Sequence, residues 1–286
     1  MYLFLTKRIG RGKMSSEKNA PIGVFDSGVG GLTVVQEIMR NLPNEHIVYF
    51  GDTARVPYGS KSKETVLRYS RQIVRFLKTH KVKAIVVACN TASALALDII
   101  AEEIDLPILG VVRPGASVAV QATHNKKVGV IATESTIHSN LYPLLIQRED
   151  PEITVYGKAC PLFVPLIEEG WTKDYITVEV AKRYLEELLE KDIDTLIMGC
   201  THYPLLKTLL KGILGAQVTL INPAYETSQV IKRMLEDLSL ENDSYCSDGE
   251  KYQFYASDIV NKFNVFAHSI LPYDIKIMKQ ILIEEY

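Results

Sequence analysis

Short apolar runs alternate with amphipathic segments along almost the whole chain. Each apolar run has the length expected of a strand that is buried on both faces, as in a parallel sheet. Alternation of strands and helices favours parallel sheets with right-handed crossovers. We therefore predict an α/β fold with mainly parallel sheets, in which the strands are 22–25, 46–50, 83–88, 107–112, 127–131, 153–156, 194–198, 218–221, 252–256 and 265–267.

The predicted helices lie between these strands. Segment 64–78 repeats apolar residues at the spacing of an amphipathic helix. Its apolar face consists of Val66, Tyr69, Ile73, Phe76 and Leu77. The other predicted helices are 32–39, 92–103, 174–191, 226–238 and 273–283, together with one that begins near Tyr203.

Two of the predicted strands end on nearly the same motif, a cysteine followed by small polar residues. Strand 84–88 precedes the first motif and strand 195–199 precedes the second. The motif residues are Cys89, Asn90 and Thr91 in the first, and Cys200, Thr201 and His202 in the second. Because ligands of open α/β sheets bind outside the carboxyl ends of the strands, this pair predicts two thiols acting on one substrate from opposite sides.

The two motifs fall in separate halves of the chain, so we predict two similar α/β domains with the active site in the cleft between their strand ends. The expected crossings between the domains lie near 113–115 and near Asn222-Pro223. The first domain would take 21–113 and 223–286, and the second 114–222. Residues 1–20 would form an N-terminal extension outside the fold, and the sequence leaves open whether Met1 or Met14 is the true start.

Composition is that of a soluble globular protein, with 23% charged and 47% hydrophobic residues. The net charge of −2 and the lack of a basic block disfavour nucleic acid or an anionic membrane as a partner. No apolar run approaches the length of roughly 18 residues that a membrane-spanning helix needs. The apolar run 2–5 is too short for a signal peptide, which favours the cytoplasm, where thiols stay reduced.

Four cysteines stand at positions 89, 160, 200 and 246, without the spacing of a zinc site or a disulfide framework. We therefore predict no metal, and we interpret Cys160 and Cys246 as buried or inert thiols. Cys89 and Cys200 each precede a predicted helix N-terminus, where the field favours the thiolate. His202 either acts as a proton partner of Cys200 or caps a helix.

Two further segments follow predicted strands. Asp26-Ser27-Gly28-Val29-Gly30-Gly31 is a turn whose glycines allow a ligand close to the backbone, but it lacks the spacing of a nucleotide-binding motif. Asp26 is either a functional carboxylate at the sheet edge or a helix N-cap. The loop 51–62 is rich in turn-forming residues, and its backbone amides are candidates for binding a carboxylate.

Together these segments resemble the glutamate racemases, a family of cofactor-independent amino-acid racemases. The resemblance covers the chain from about Ile22 to Asn222, with the motifs in the family's order and approximate spacing. It rests on FDSGVGGLTV (25–34), GDTARVPYGSKS (51–62), VVACNTASA (86–94), GVVRPG (110–115), CPLFVPLIEEG (160–170) and MGCTHYPLL (198–206).

The resemblance implies that Cys89 and Cys200 are the catalytic pair, one acting as the base while the other delivers the proton. Further residues implied to tune proton transfer are Asp26, Asp52, His202 and a glutamate of the PLIEEG stretch, for which we take Glu168 while leaving Glu169 open. Residues implied to bind the substrate are Asp26, Ser27, Pro57, Tyr58, Gly59, Asn90, Thr91, Thr201 and His202. No cofactor is implied.

Family membership further implies glutamate as substrate, D-glutamate for peptidoglycan as product, and a homodimer. The N-terminal extension leaves open a site for a regulator. Other assignments are another member of the two-cysteine superfamily such as an aspartate racemase, a phosphate- or nucleotide-binding regulatory protein, and a non-catalytic α/β scaffold. Cys200 has His202 beside it in the sequence, whereas Cys89 needs a helper from elsewhere in the fold, for which we expect Asp26.

Overall fold

The computed structural model of the chain describes residues 18–243, 251–258, 261–271 and 278–286. Cys246 and most of the predicted N-terminal extension lie outside these residues. The described strands pair into two sheets, and every pair is parallel, as the alternating pattern predicts. The strands are β1 (Ile22–Asp26), β2 (Ile47–Gly51), β3 (Ala84–Val87), β4 (Ile108–Gly110), β5 (Lys127–Ala132), β6 (Thr154–Ala159), β7 (Thr195–Gly199), β8 (Thr219–Ile221), β9 (Tyr252–Ala256) and β10 (Met278–Gln280).

Helices connect the strands. They are α1 (Leu32–Asn41), α2 (Lys63–Thr79), α3 (Asn90–Leu95), α4 (Leu97–Glu103), α5 (Val112–Ala122), α6 (Glu134–His138), α7 (Leu141–Glu149), α8 (Phe163–Glu168), α9 (Tyr175–Glu190), α10 (Lys207–Leu214), α11 (Pro223–Leu238) and α12 (Asn261–Ile270). Short 3-10 helices cover Thr53–Arg55, Tyr58–Ser60, Tyr203–Leu206 and Ile283–Glu285. None of the helices within the described residues is long and apolar enough to cross a membrane.

Strand order creates one switch point in each sheet. The first sheet has the order β10-β9-β2-β1-β3-β4 and the second the order β6-β5-β7-β8. In the first sheet β1 lies between β2 and β3, and in the second β5 lies between β6 and β7. The chain therefore adds strands first on one side of β1 or β5 and then on the other. At such a point the loops separate and leave a crevice at the carboxyl ends of the strands. Asp26 and Cys89 stand at this crevice in the first sheet, and Thr133 and Cys200 in the second.

Burial explains why these strands are apolar throughout. All residues of β1, β2, β3 and β7 are buried, since helices cover both faces of a doubly wound sheet. Helix α2 follows the predicted amphipathic pattern and begins at the N-cap Ser62, whose side chain accepts a hydrogen bond from the Thr65 amide.

Helix α11 joins the two parts of the molecule. It packs against α1 beside the first sheet and against α5 beside the second. Its N-cap Asn222 accepts a hydrogen bond from the Ala224 amide, and Pro223 occupies the first helical position, where no backbone N–H is needed. The helix therefore begins three residues before the predicted start at 226.

Two predictions near the C-terminus are wrong. The predicted strand 265–267 lies inside α12, where Phe263, Phe266, Ala267 and Ile270 are buried and Val265 is exposed. That is helical spacing, and three apolar residues in a row cannot by themselves distinguish it from a strand. In the predicted helix 273–283, residues 272–277 lie outside the described residues, while 278–280 form β10, which pairs with β9.

Helix α5 was not predicted, because Pro114 suggested an end of regular structure. The proline lies in the first turn of the helix, where its missing N–H leaves no intrahelical bond unmade. The predicted strand 107–112 is correspondingly shorter and ends at Gly110.

Candidate active site

Cys89 is the N-cap of α3 directly after β3. Its Sγ accepts a hydrogen bond from the Ala92 amide at 3.5 Å and lies 3.7 Å from Ser27 Oγ, to which the thiol donates. Burial raises the pKa of Cys89 to about 12, and the nearby Asp26 carboxylate acts in the same direction. The helix amide and Ser27 oppose this shift, as expected at a helix N-terminus, but burial outweighs them. Cys89 is therefore a neutral thiol at neutral pH.

Cys200 follows β7 and has a different neighbour. The Nδ1 atom of His202 lies 3.8 Å from Cys200 Sγ, and Nε2 of the same ring lies 2.9 Å from Glu168 Oε1 at the end of α8. Burial opposes a charged imidazole, but the hydrogen bonds and charges of Cys200 and Glu168 outweigh burial and raise the pKa of His202 to about 10. The ring is thus an imidazolium at neutral pH, held between Glu168 and Cys200.

Asp26 lies at the end of β1, fully buried, between the two cysteine motifs. Its Oδ2 accepts a hydrogen bond from the Gly28 amide at 3.0 Å, while no described residue bonds to its Oδ1. Burial raises the pKa of Asp26, and the charge of His202 lowers it. The same carboxylate acts on the pKa of Cys89, so Asp26 is coupled to both halves of the site.

The turn after β1 reaches across to the Cys200 motif. Thr33 Oγ1 donates a 2.8 Å hydrogen bond to the carbonyl oxygen of Thr201. At Gly30, a Cβ atom would overlap the ring of His202 and the hydroxyl of Thr201. Glycine is thus required here by the close approach of the two motifs, as the glycine-rich turn suggests.

The loop after β2 is built around the buried Asp52. Its carboxylate accepts hydrogen bonds from Arg55 Nε at 2.8 and 3.0 Å, from Ser257 Oγ at 2.8 Å, and from the hydroxyl of Tyr58. Asp52 therefore braces the loop, and the structure directs its carboxylate toward these partners. Pro57 precedes the short helix Tyr58–Ser60 as its N-cap.

Three threonine hydroxyls meet where the two halves of the molecule face each other. Thr91 Oγ1 lies 2.9 Å from Thr133 Oγ1 and 3.3 Å from Thr136 Oγ1, and the latter two lie 2.9 Å apart. The backbone at Gly59 approaches the same cluster, because a Cβ atom there would lie 2.7 Å from Thr133 Cβ. The cluster thus combines hydroxyl donors from both halves with the loop after β2.

Both cysteine motifs border one small pocket. Its lining includes Asn90 from the first motif, Cys200 and Thr201 from the second, and Pro223 from the start of α11. The charge of Cys200 also acts on the pKa of Cys89. The fold therefore brings residues of the two cysteine motifs, which follow strands of different sheets, to one pocket.

Comparison with known proteins decides the family. Residues 22–228 match the model of the Asp/Glu/hydantoin racemase family. The chain belongs to this family, among its glutamate racemases. It is 48% identical over 238 residues to the glutamate racemase of Geobacter metallireducens, covering 83% of this chain and 87% of that protein. It is 52% identical over 225 residues to the glutamate racemase of Trichormus variabilis, covering 79% of this chain and 76% of that protein.

A solved structure agrees with this assignment. The crystal structure of the Francisella tularensis glutamate racemase in complex with D-glutamate has a TM-score of 0.87 and 42% identity, and the match covers 94% of this chain and 100% of that one. The predicted family, the α/β fold and the assignment as an enzyme are thereby confirmed.

Three residues that hydrogen-bond to the first cysteine motif were not singled out from the sequence. Thr133 and Thr136 follow β5, and Tyr142 donates a 2.9 Å hydrogen bond to Asn90 Oδ1. The sequence could have indicated Thr133, because it follows β5, which pairs with β7. Ligands of open α/β sheets bind outside the carboxyl ends of such strands, and Cys89 was singled out on the same ground. Tyr142 had no such signal, since it lies inside a helix. Between the two glutamates left open, Glu168 is the one that bonds to His202.

Proposed function

We propose that this racemase interconverts L- and D-glutamate through two bases, Cys89 and Cys200, without a cofactor. The observation that carries the proposal is the pair of buried thiols at the carboxyl edges of two separate sheets, with Cys200 and the residue after Cys89, Asn90, lining one pocket. Racemisation needs a proton removed from one face of Cα and another returned to the opposite face. Two acid–base groups on opposite sides do this without turning the substrate over.

The two thiols have different surroundings. His202 is cationic at neutral pH and lies against Cys200, so its charge stabilises the negative sulfur when Cys200 acts as the base. Cys89 rests as a neutral thiol, since burial raises its pKa to about 12. In one direction the Cys200 thiolate takes the Cα proton, the electron pair of the broken C–H bond stays on the substrate, and the Cys89 thiol donates its proton to the other face. This leaves Cys200 as the thiol and Cys89 as the thiolate, which is the starting state for the other direction, and proton exchange with solvent restores the first state.

The substrate carboxylates would be held by donors on both sides of the cleft. Ser27, Asn90 and Thr201 lie beside the cysteines and suit the α-carboxylate, whose hydrogen bonds stabilise the charge that develops on deprotonation. Thr91 points away from them into the threonine cluster with Thr133. This cluster, with the loop at Gly59, suits the carboxylate at the end of the glutamate side chain.

The test replaces Cys89 and Cys200 separately with serine. A positioned acid or base contributes roughly a hundredfold to ten-thousandfold to the rate. Each variant should therefore lose activity on that scale in both directions, measured by polarimetry and by deuterium incorporation at Cα in heavy water. Full racemase activity in either variant would overturn the two-thiol assignment. Any need for added pyridoxal phosphate after thorough dialysis would overturn its cofactor independence.

The other assignments are separated by simple measurements. Turnover of aspartate faster than glutamate would favour an aspartate racemase. ATP binding in a calorimeter would favour a nucleotide-binding regulatory protein. Two thiols that stay inert to alkylation, together with no turnover of either amino acid, would favour a scaffold.

We further propose that the product D-glutamate supplies peptidoglycan synthesis in the cytoplasm and that the enzyme is a homodimer. These proposals rest on the membership of the chain in the glutamate racemase family. Depletion of the protein should lower the cellular D-glutamate pool, and sedimentation should give twice the mass of the chain.

A further inference from the structure

Tyr142 connects the two cysteine motifs although it belongs to neither. It is the second residue of α7, which packs on the second sheet, and its side chain is only 2% exposed. Its hydroxyl donates a 2.9 Å hydrogen bond to Oδ1 of Asn90, the residue after Cys89 in the first motif. This bond therefore joins the second half of the molecule to the residue beside one reacting thiol.

The ring of Tyr142 lies against the other motif. A Cβ atom on Gly199, the residue before Cys200, would lie 3.2 Å from Tyr142 Cε2. The charge of Cys200 also acts on the pKa of Tyr142, which burial raises above its usual value. The phenol thus stays protonated and remains a hydrogen-bond donor. One side chain therefore contacts the residue after the first cysteine and the residue before the second.

The bond to Tyr142 gives the Asn90 amide a direction. A carboxamide has one acceptor end and one donor end, and the acceptor end of Asn90 is occupied by the phenol. Its NH₂ end is then the one left for the pocket that Asn90 shares with Cys200. Without the phenol the amide would turn between two orientations, and one of them would present an oxygen to the carboxylate of the substrate.

We propose that Tyr142 is a positioning residue that keeps the NH₂ group of Asn90 directed at the substrate carboxylate and sets the spacing between the Cys89 and Cys200 motifs. The proposal rests on the proposed function for the role of Asn90. Tyr142 itself acts only through Asn90 and Gly199.

The experiment is a double-mutant cycle with Tyr142→Phe and Asn90→Ala. Phenylalanine keeps the ring against Gly199 and removes only the hydroxyl. Tyr142→Phe should weaken binding of D-glutamate about tenfold in calorimetry and lower kcat/KM at least as much. In the Asn90→Ala background, the same change should alter the dissociation constant less than about twofold, because the amide that the phenol orients is gone.

Tyr203→Phe is the matched control. Its ring is also fully buried, and its hydroxyl donates a 2.8 Å hydrogen bond to the backbone carbonyl of Cys160. Both phenylalanine variants should lower the melting temperature to a similar extent, but only Tyr142→Phe should weaken glutamate binding in a way that depends on Asn90.

Three outcomes would overturn the proposal. They are unchanged binding in Tyr142→Phe, losses that simply multiply in the double variant, and an equal loss of affinity in Tyr203→Phe. Failure of the proposed function is a separate result, because it would appear as racemase activity that survives in Cys89→Ser or Cys200→Ser.

Discussion

His202 Nε2 lies 2.9 Å from Glu168 Oε1, while the opposite nitrogen of the ring faces the sulfur of Cys200. The strongest charged neighbour that acts on the pKa of Cys89 is the Asp26 carboxylate, which raises it. The two thiols therefore occupy matching places in two sheets but differ in electrostatic surroundings. One has an imidazolium beside it, and the other has a carboxylate.

Glu168→Gln should reduce the dependence of stability on pH. The native state raises the pKa of His202 from 6.5 to about 10, so His202 contributes stability that is fully present below pH 6.5 and is lost as the pH rises through about 10. Removing the Glu168 charge lowers the native-state pKa of His202 and reduces the stability that His202 contributes. Melting temperatures measured between pH 6.5 and 10 test this, because the melting temperature of the wild type should fall more steeply with pH than that of the variant.

Glu169→Gln is the companion variant, since the sequence left the choice between the two glutamates open. It should keep the steep pH dependence of the wild type. A profile flattened by Glu169→Gln and unchanged by Glu168→Gln would contradict the assignment of Glu168 as the partner of His202.

Gly30→Ala should impair catalysis and stability together. The added Cβ would overlap the ring of His202 and the hydroxyl of Thr201, and forcing these groups apart costs about 1–3 kcal/mol. We expect a lower kcat, because His202 moves relative to Cys200. Gly212→Ala is the matched control: no atom lies within 4 Å of its added Cβ, and a helical glycine gains about 0.5–1 kcal/mol on this change. Normal kinetics in Gly30→Ala would contradict the close approach of Gly30 to His202 and Thr201.

Thr136→Val should act mainly on substrate binding. It removes one of the three hydroxyls of the cluster proposed to hold the side-chain carboxylate, while the side chain keeps its size. A hydrogen bond to a charged group contributes about 1.5–3 kcal/mol, so KM for glutamate should rise by roughly tenfold or more.

Thr177→Val controls for the loss of a buried threonine hydroxyl. Thr177 Oγ1 donates to the backbone carbonyl of Trp171, outside the threonine cluster. This variant should lose stability but keep the KM of the wild type. Equal values of KM in Thr136→Val and Thr177→Val would show that the threonine cluster is not part of the substrate site.

The parts of the site that the sequence predicted are local. A cysteine after an apolar run stands at the end of a strand, and the carboxyl ends of parallel strands lie on one edge of a sheet. Cys89 and Cys200 were found on that basis, and the long motifs identified the family. Asp52 shows the limit of such local patterns, because its place in the loop was predicted but its hydrogen bonds to Arg55, Tyr58 and Ser257 were not.

The sequence by itself therefore determined the strands that carry the chemistry, the two thiols at their ends and the family. Only the tertiary structure decided which side chains meet: Glu168 with His202, Thr91 with Thr133, and Tyr142 with Asn90. The physical reason is that periodicity reports burial along one element. A hydrogen bond between residues 34 to 52 positions apart depends instead on how separate elements pack, beside one sheet for Glu168 and His202 and across the cleft for the other two pairs. Periodicity therefore accounts for the matched positions of the two cysteines, and tertiary packing accounts for their different surroundings.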